Sequence, residues 1–192
     1  MPDIGVTKTV DNVARLLANV AELTASDVLV GVPAAKTARK DGAITNASLA
    51  YIHEFGSPAH NIPARPFLFP GVRRIQAQAK AVLRQGALDV LRGVAKVDVV
   101  LNKVGILARN SVVNEITDPE PPFIPLRPAT IRARLRRTAA GRRQLRQIKT
   151  KRSAGVPMEQ ALTEWAETGG NIHPLLDTGA LRASISYVVV KR

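Results

Sequence analysis

Cysteine is absent from this 192-residue chain, which excludes disulfides and thiolate metal centres and fits manufacture in a reducing compartment without requiring it. Aromatic residues are scarce, at 4% against 45% apolar residues overall, so the core must be built from Leu, Val, Ile and Ala. That composition suits helices with a modest sheet. No run approaches the ~18 consecutive apolar residues of a membrane span. The opening stretch Met1 to Val6 lacks both a basic and an apolar leader region, so the sequence predicts a soluble, non-exported chain without a membrane partner. Acidic residues are also few: 15 Asp and Glu stand against 28 Lys and Arg, a net charge of +13 that favours an acidic partner, nucleic acid first.

Recognisable catalytic patterns are missing as well. The three histidines, His53, His60 and His173, are scattered and lack the spacing of a metal or catalytic set. The glycines at 169, 170 and 179 fit neither a phosphate loop nor a dinucleotide fingerprint, and no nucleophile elbow is present. Asp177-Thr178-Gly179 shares the letters of the aspartic-protease triplet, but nothing beyond it supplies a lobe to bury a carboxylate pair. The expectation is a non-enzyme without cofactor or metal.

What the sequence does contain is periodic structure. Val10, Val13, Leu17 and Val20 recur at helical spacing and predict an amphipathic helix over 10–23. Residues 27–33 are short, β-branched and closed by Pro33, and predict a strand. A polar stretch, 36–42, follows. A short helix over 46–55 is stopped by Gly56-Ser57-Pro58, and 59–66 form an extended, proline-rich connection. After Pro70 a helical pattern runs over 71–92, breaks near Gly93, and resumes through Val97, Val100, Leu101, Val104 and Ala108. The prolines of 118–122 interrupt it. A helix over 158–168, a Gly-rich turn and a strand over 184–190 with Ile185, Tyr187 and Val189 on one side close the chain. The expected fold is a single α+β domain over 1–192, with long helices packed on a small, mostly antiparallel sheet.

Between Pro121 and Met158 the composition changes sharply. Eleven cations (Arg127, Arg132, Arg134, Arg136, Arg137, Arg142, Arg143, Arg146, Lys149, Lys151 and Arg152) occur there with no acidic residue. Like charges keep such a segment extended, so an extended basic arm is expected over about 121–158. Its partner is the phosphate backbone of DNA, or else it is a solvated tail or an arm whose cations meet acidic patches on neighbouring subunits. The arginine spacing matches no recognition helix and no aromatics are interleaved, so any nucleic-acid contact would be independent of sequence.

Two ordered groups of motifs carry a resemblance. The first is Tyr51-Ile52-His53-Glu54-Phe55-Gly56-Ser57-Pro58 leading into Ile62-Pro63-Ala64-Arg65-Pro66-Phe67-Leu68. The second is residues 125–131, Pro-Leu-Arg-Pro-Ala-Thr-Ile, followed by Leu175 to Ile185, which contains Asp177-Thr178-Gly179. In this order they resemble the neck or tail-completion proteins of tailed phages, also described as virion-morphogenesis or minor tail proteins, over roughly residues 28 to 188, with an unusually long basic insert at 139–168. The resemblance implies a structural virion protein, made in the host cytoplasm. It would form a ring, expected to be a hexamer, that joins head connector to tail tube or tail terminator around genomic DNA, and would catalyse nothing. The motif residues Glu54, Phe55, Gly56, Pro63, Arg65, Pro66, Phe67, Asp177, Thr178 and Gly179 are read as mainly structural, with Phe55 and Phe67 as core anchors and Asp177 or Thr178 capping a short helix from Ala180. The alternative is a sequence-independent nucleic-acid-binding protein or regulator.

Overall fold

The computed structural model describes residues 13–38, 44–151, 155–170 and 172–192. Among them the chain forms helices α1 (Val13–Thr24), α2 (Asn46–Phe55), α3 (Leu68–Arg74), α4 (Gln76–Leu91), α5 (Val97–Thr117), α6 (Pro128–Arg137), α7 (Ala139–Lys151), α8 (Met158–Glu167) and α9 (Ala180–Ser184), with strands β1 (Ser26–Gly31) and β2 (Ser186–Lys191). The fold is α+β: mostly helical, with one two-stranded antiparallel sheet pairing Ser26 with Lys191 at one end and Gly31 with Ser186 at the other.

Helix α5 is the organising element. At 21 residues it spans ~31 Å. Val97, Val100, Leu101, Val104, Ala108 and Val112 are all buried along it, because their spacing of three and four residues stacks them on one face. The break near Gly93 falls as expected between α4 and α5. The helical pattern over 71–92 forms, but as two helices and not one continuous helix. Helix α3 begins at Leu68 and ends at Arg74, and the backbone of Ile75 (φ −98°, ψ 4°) leaves the helical region before α4 starts at Gln76. The bend lets α3 lie against the C-terminal half of α5, where Ser111 Oγ donates to the Gly71 carbonyl at 2.7 Å, while α4 covers its N-terminal half around Val100.

The ribbon packs its inner face on α5. Ile185 is buried, and Val28, Val30, Tyr187 and Val189 are half-buried, as their alternation predicts. Leu29 and Val188, directly paired, lie on the outer face and are exposed. At the far end Arg192 donates two hydrogen bonds of 2.6 Å to Asp27, whose carboxyl is held below its ordinary pKa chiefly by that contact. Helix α1 contacts α4 and α5. The stripe expected to pack inward points outward: Val13, Leu17 and Val20 are 61%, 66% and 42% exposed. Val10, the first residue of that stripe, lies outside the described residues, as does part of the polar stretch 36–42.

Over 128–151 the basic stretch, expected to be extended, is helical. It forms α6 and α7, which with α8 enclose a separate apolar cluster of Ile131, Leu135, Ile148, Ala161 and Leu162. Pro128 sits in the first turn of α6, where its missing N–H costs nothing. Thr138 Oγ1 accepts from the Gly141 N–H at 3.0 Å and caps α7. Gly141 lies in the first turn of α7, and a Cβ there would lie 2.2 Å from the Leu135 carbonyl oxygen, so only glycine permits this crossing of α6 and α7. Burying each large apolar side chain contributes on the order of 1.5–3 kcal/mol. Like charges one helical turn apart repel by only ~0.2–0.5 kcal/mol. Burial wins, and most of the described cations are left on the outside of a folded unit.

One close contact tests how β2 is seated. A Cβ on Gly105 of α5 would lie 2.1 Å from the Tyr187 ring, whose hydroxyl reaches Asn102 Oδ1 at 2.9 Å. Replacing a mid-helix glycine with alanine ordinarily stabilises by ~0.5–1 kcal/mol. Here overpacking should dominate, so Gly105→Ala should destabilise by ~1–3 kcal/mol in a denaturant titration. A stabilised variant would show that Tyr187 is not held against α5.

Candidate functional site

Two of the motif segments form a single device. Glu54, in the last turn of α2, is buried, and its carboxylate accepts three backbone N–H groups: Phe67 and Leu68 on Oε2 at 2.8 and 2.9 Å, and Phe69 on Oε1 at 3.0 Å. These are donors that the start of α3 cannot satisfy within its own helix, and the carboxylate also opposes the positive end of that helix. The chain returns from α2 to α3 through Gly56 (φ 77°), where a Cβ would meet the Ala64 nitrogen at 2.9 Å. Ser57 and Ile62 then exchange backbone hydrogen bonds of 2.9 and 3.0 Å around a tight turn, and Ser57 Oγ contacts His60 Nδ1 at 2.9 Å. Pro63 and Pro66 flank Arg65, whose backbone N–H donates to the His53 carbonyl at 2.7 Å.

The Arg65 side chain is buried although it is cationic. Nε donates to the Ile124 carbonyl at 2.9 Å and Nη2 to that of Pro125 at 3.1 Å, fastening the elbow to the loop before α6. Burial, and secondarily the charge of Arg134, push its guanidinium below the usual arginine range. Phe67 is buried in the main core, as expected of an anchor. Phe55 is not: it is 55% exposed and joins Tyr51 (ring centroids 4.8 Å apart) and Phe69 (6.2 Å) in a surface cluster. The reason is geometric, since Glu54 takes the inward position at the end of α2 and its neighbour Phe55 must face elsewhere.

The second group of motifs is fastened by two of the eleven cations. Arg134 Nη1 donates to the carbonyls of His173 (2.9 Å) and Leu176 (3.1 Å), and Nη2 to that of Pro174 (2.9 Å). Burial lowers its pKa, with Asp177 opposing the shift and Arg137 adding to it. Arg137 Nη1 pairs with Asp177 Oδ2. Asp177 therefore holds α6 and does not cap α9; Thr178 Oγ1 accepts from the Ala180 N–H at 3.3 Å, and Gly179 stands at the cap in the left-handed region. Arg134 and Arg137 are thus committed within the protein. Arg127, Arg136, Arg142, Arg143, Arg146 and Lys149 are exposed and Arg132 is half-buried, while Lys151 ends α7 and Arg152 lies outside the described residues.

Three clefts border these features. The largest, about 780 Å³, runs between the elbow and α6 and is lined by His53, His60, Arg65, Arg127 and Arg134 among others, with no carboxylate. A cleft of about 270 Å³ beside Tyr51, Phe55 and Phe69 reaches Gly31 and Ile185 at the end of the ribbon. A groove of about 370 Å³ lies between α6 and α7. Nothing in the sequence marked the aromatic cluster, because 51, 55 and 69 span two helices; helical spacing joins only the first pair. Among the described residues no group of three His, Asp or Glu is placed to hold a metal ion, and no helix is long and apolar enough to cross a membrane. No family model matches the chain, and neither a curated protein nor a solved structure is similar to it.

Glu54→Gln keeps the size of the side chain but turns amide hydrogens toward backbone donors. It should destabilise by ~1–3 kcal/mol, the cost of leaving buried N–H groups unsatisfied, read as a lower denaturation midpoint at unchanged slope. Unchanged stability would mean that α3 does not depend on the carboxylate.

Proposed function

We propose that the chain is a structural subunit of a tailed-phage particle, of the neck or tail-completion kind, that assembles with copies of itself into a ring between head connector and tail, around the DNA channel, and performs no chemistry. The observation that carries this reading is the apolar surface a lone subunit leaves exposed beside an open strand edge. Three of the seven aromatic residues, Tyr51, Phe55 and Phe69, are 55–66% exposed next to the Gly31 end of β1. Each strand of the ribbon has a neighbour on one side only among the described residues. An exposed edge accepts a strand from another chain, and the adjoining cleft would receive one of its side chains. The bare stripe Val13, Leu17 and Val20 on α1 gives a second apolar face, as a subunit contacted on two sides requires. The ordered motifs that resemble the neck proteins supply the particle context, and sixfold symmetry follows from that resemblance.

The net charge of +13 opposes self-association, so ring formation should strengthen as salt screens the repulsion, from ~50 to ~300 mM. Negative-stain imaging and mass photometry of the purified chain should show a closed ring. Phe55→Asp with Phe69→Asp should leave the circular dichroism spectrum intact and abolish the ring. A phage lacking the gene should accumulate filled heads and tails that fail to join or carry aberrant ends. A chain that stays monomeric at every salt concentration, together with normal infectious particles from the deletion, would defeat the proposal.

A further inference from the structure

Of the cations outside the Arg134 and Arg137 clamp, four converge. Arg132 and Arg136 on α6 and Arg146 and Lys149 on α7 line the groove of about 370 Å³ between these helices, together with Leu145 and Met158. Arg132 and Arg136 are one turn apart, and Arg146 and Lys149 nearly so, so each helix presents its pair on one side. Arg142 Nη1 donates to the Arg136 carbonyl at 3.0 Å across the crossing, and Arg142 and Arg143 continue the basic surface along α7. Among the described residues no carboxylate pairs with any of the four; the ion pairs there belong to Arg74, Arg134, Arg137, Lys191 and Arg192. Glu164 and Trp165 lie in a different cleft, on the α8 side of α7.

A folded unit that gathers cations without counter-charge is built for an anion brought from outside. The anion must be extended, because the positive charge lies along two helices. Three of the four groups are arginines, whose planar fork matches the oxygens of a phosphate. No aromatic side chain lines the groove, so there is no platform on which unpaired bases could stack, which favours a duplex over a single strand. We infer that the groove between α6 and α7 binds the phosphate backbone of double-stranded DNA, without regard to sequence. This goes beyond the ring reading and stands independently of it, since a single subunit carries the whole groove.

The test uses the full chain and a labelled 20-base-pair duplex in fluorescence anisotropy at several salt concentrations. Neutralising about four phosphates predicts a slope of log affinity against log salt of about −3 to −4, roughly a hundredfold weakening between ~50 and ~200 mM. Arg136→Gln with Arg146→Gln, both exposed, should reduce that slope by about two and weaken binding at least ~tenfold at ~100 mM. Arg84→Gln on α4 with Arg92→Gln just after it removes the same charge far from the groove in sequence and should weaken binding less than ~threefold, as expected of a distant charge screened by salt. A duplex of scrambled sequence should bind equally well, and a single strand more weakly. Equal losses in the two double variants would overturn the assignment, as would salt-insensitive binding or a tighter single strand. Competition by polyglutamate at equal charge would assign the groove to an acidic protein surface and overturn it too. Loss of the ring without loss of duplex binding would count against the assembly reading alone.

Discussion

The Glu54 carboxylate decides how the two ends of the proline-rich elbow meet. By accepting the N–H groups of Phe67, Leu68 and Phe69 it sets where α3 begins and turns it against α5. An ionised carboxylate is costly to bury, and charge-assisted hydrogen bonds of ~1.5–3 kcal/mol each are what keep it there. The consequences spread outward. Phe67 is delivered into the core beside Val112 and Ile116, Arg65 is carried to the carbonyls of Ile124 and Pro125, and Phe55 is left on the surface with Tyr51 and Phe69. The same contact therefore holds the fold together and exposes the face from which assembly is proposed.

A second constraint couples the basic helices to the rest. Arg134 reaches three carbonyls of the loop over 173–176, and Arg137 pairs with Asp177 in the same loop. Arginine suits this role because it stays charged when buried and distributes several donors in one plane. Cations that looked interchangeable in the sequence thus divide into two kinds. Some saturate backbone carbonyls and stitch the helical unit to the core, and others lie on its outer face with no carboxylate partner among the described residues. A ring built from such subunits would use its apolar surfaces for neighbours and its cationic groove for the polymer threaded past it, and the two contacts would respond to salt in opposite directions.

The legible parts of the fold were those where a periodic pattern and a stop signal agreed. Helix α2 lies where its spacing and the Gly56-Ser57-Pro58 stop place it, and the buried stripe of α5 is the one that its spacing names. Glu54 and Arg65 stood out in the sequence as parts of a motif, but their partners did not, since Glu54 and Phe69 are fifteen residues apart and Arg65 and Ile124 fifty-nine. The helices of the basic stretch were not legible in its charge, because Ile131, Leu135 and Ile148 close a core only when Ala161 and Leu162 arrive from α8.

Composition and spacing alone determined that this is a helical, cysteine-free, strongly basic α+β chain, with α5 buried and a terminal strand alternating about Ile185, because these properties depend on residues within a few turns of one another. Tertiary structure decided which faces stay buried. The periodicity of α1 marks an apolar stripe, yet Val13, Leu17 and Val20 remain bare because α4 and α5 meet the helix on another side. Six of the eleven like charges take their places, Arg134 and Arg137 in a clamp and Arg132, Arg136, Arg146 and Lys149 along a groove, only once α6, α7 and the loop at 173–177 are brought together. A charge acquires its role from the groups within a few ångströms of it, and for these residues those groups come from distant parts of the chain.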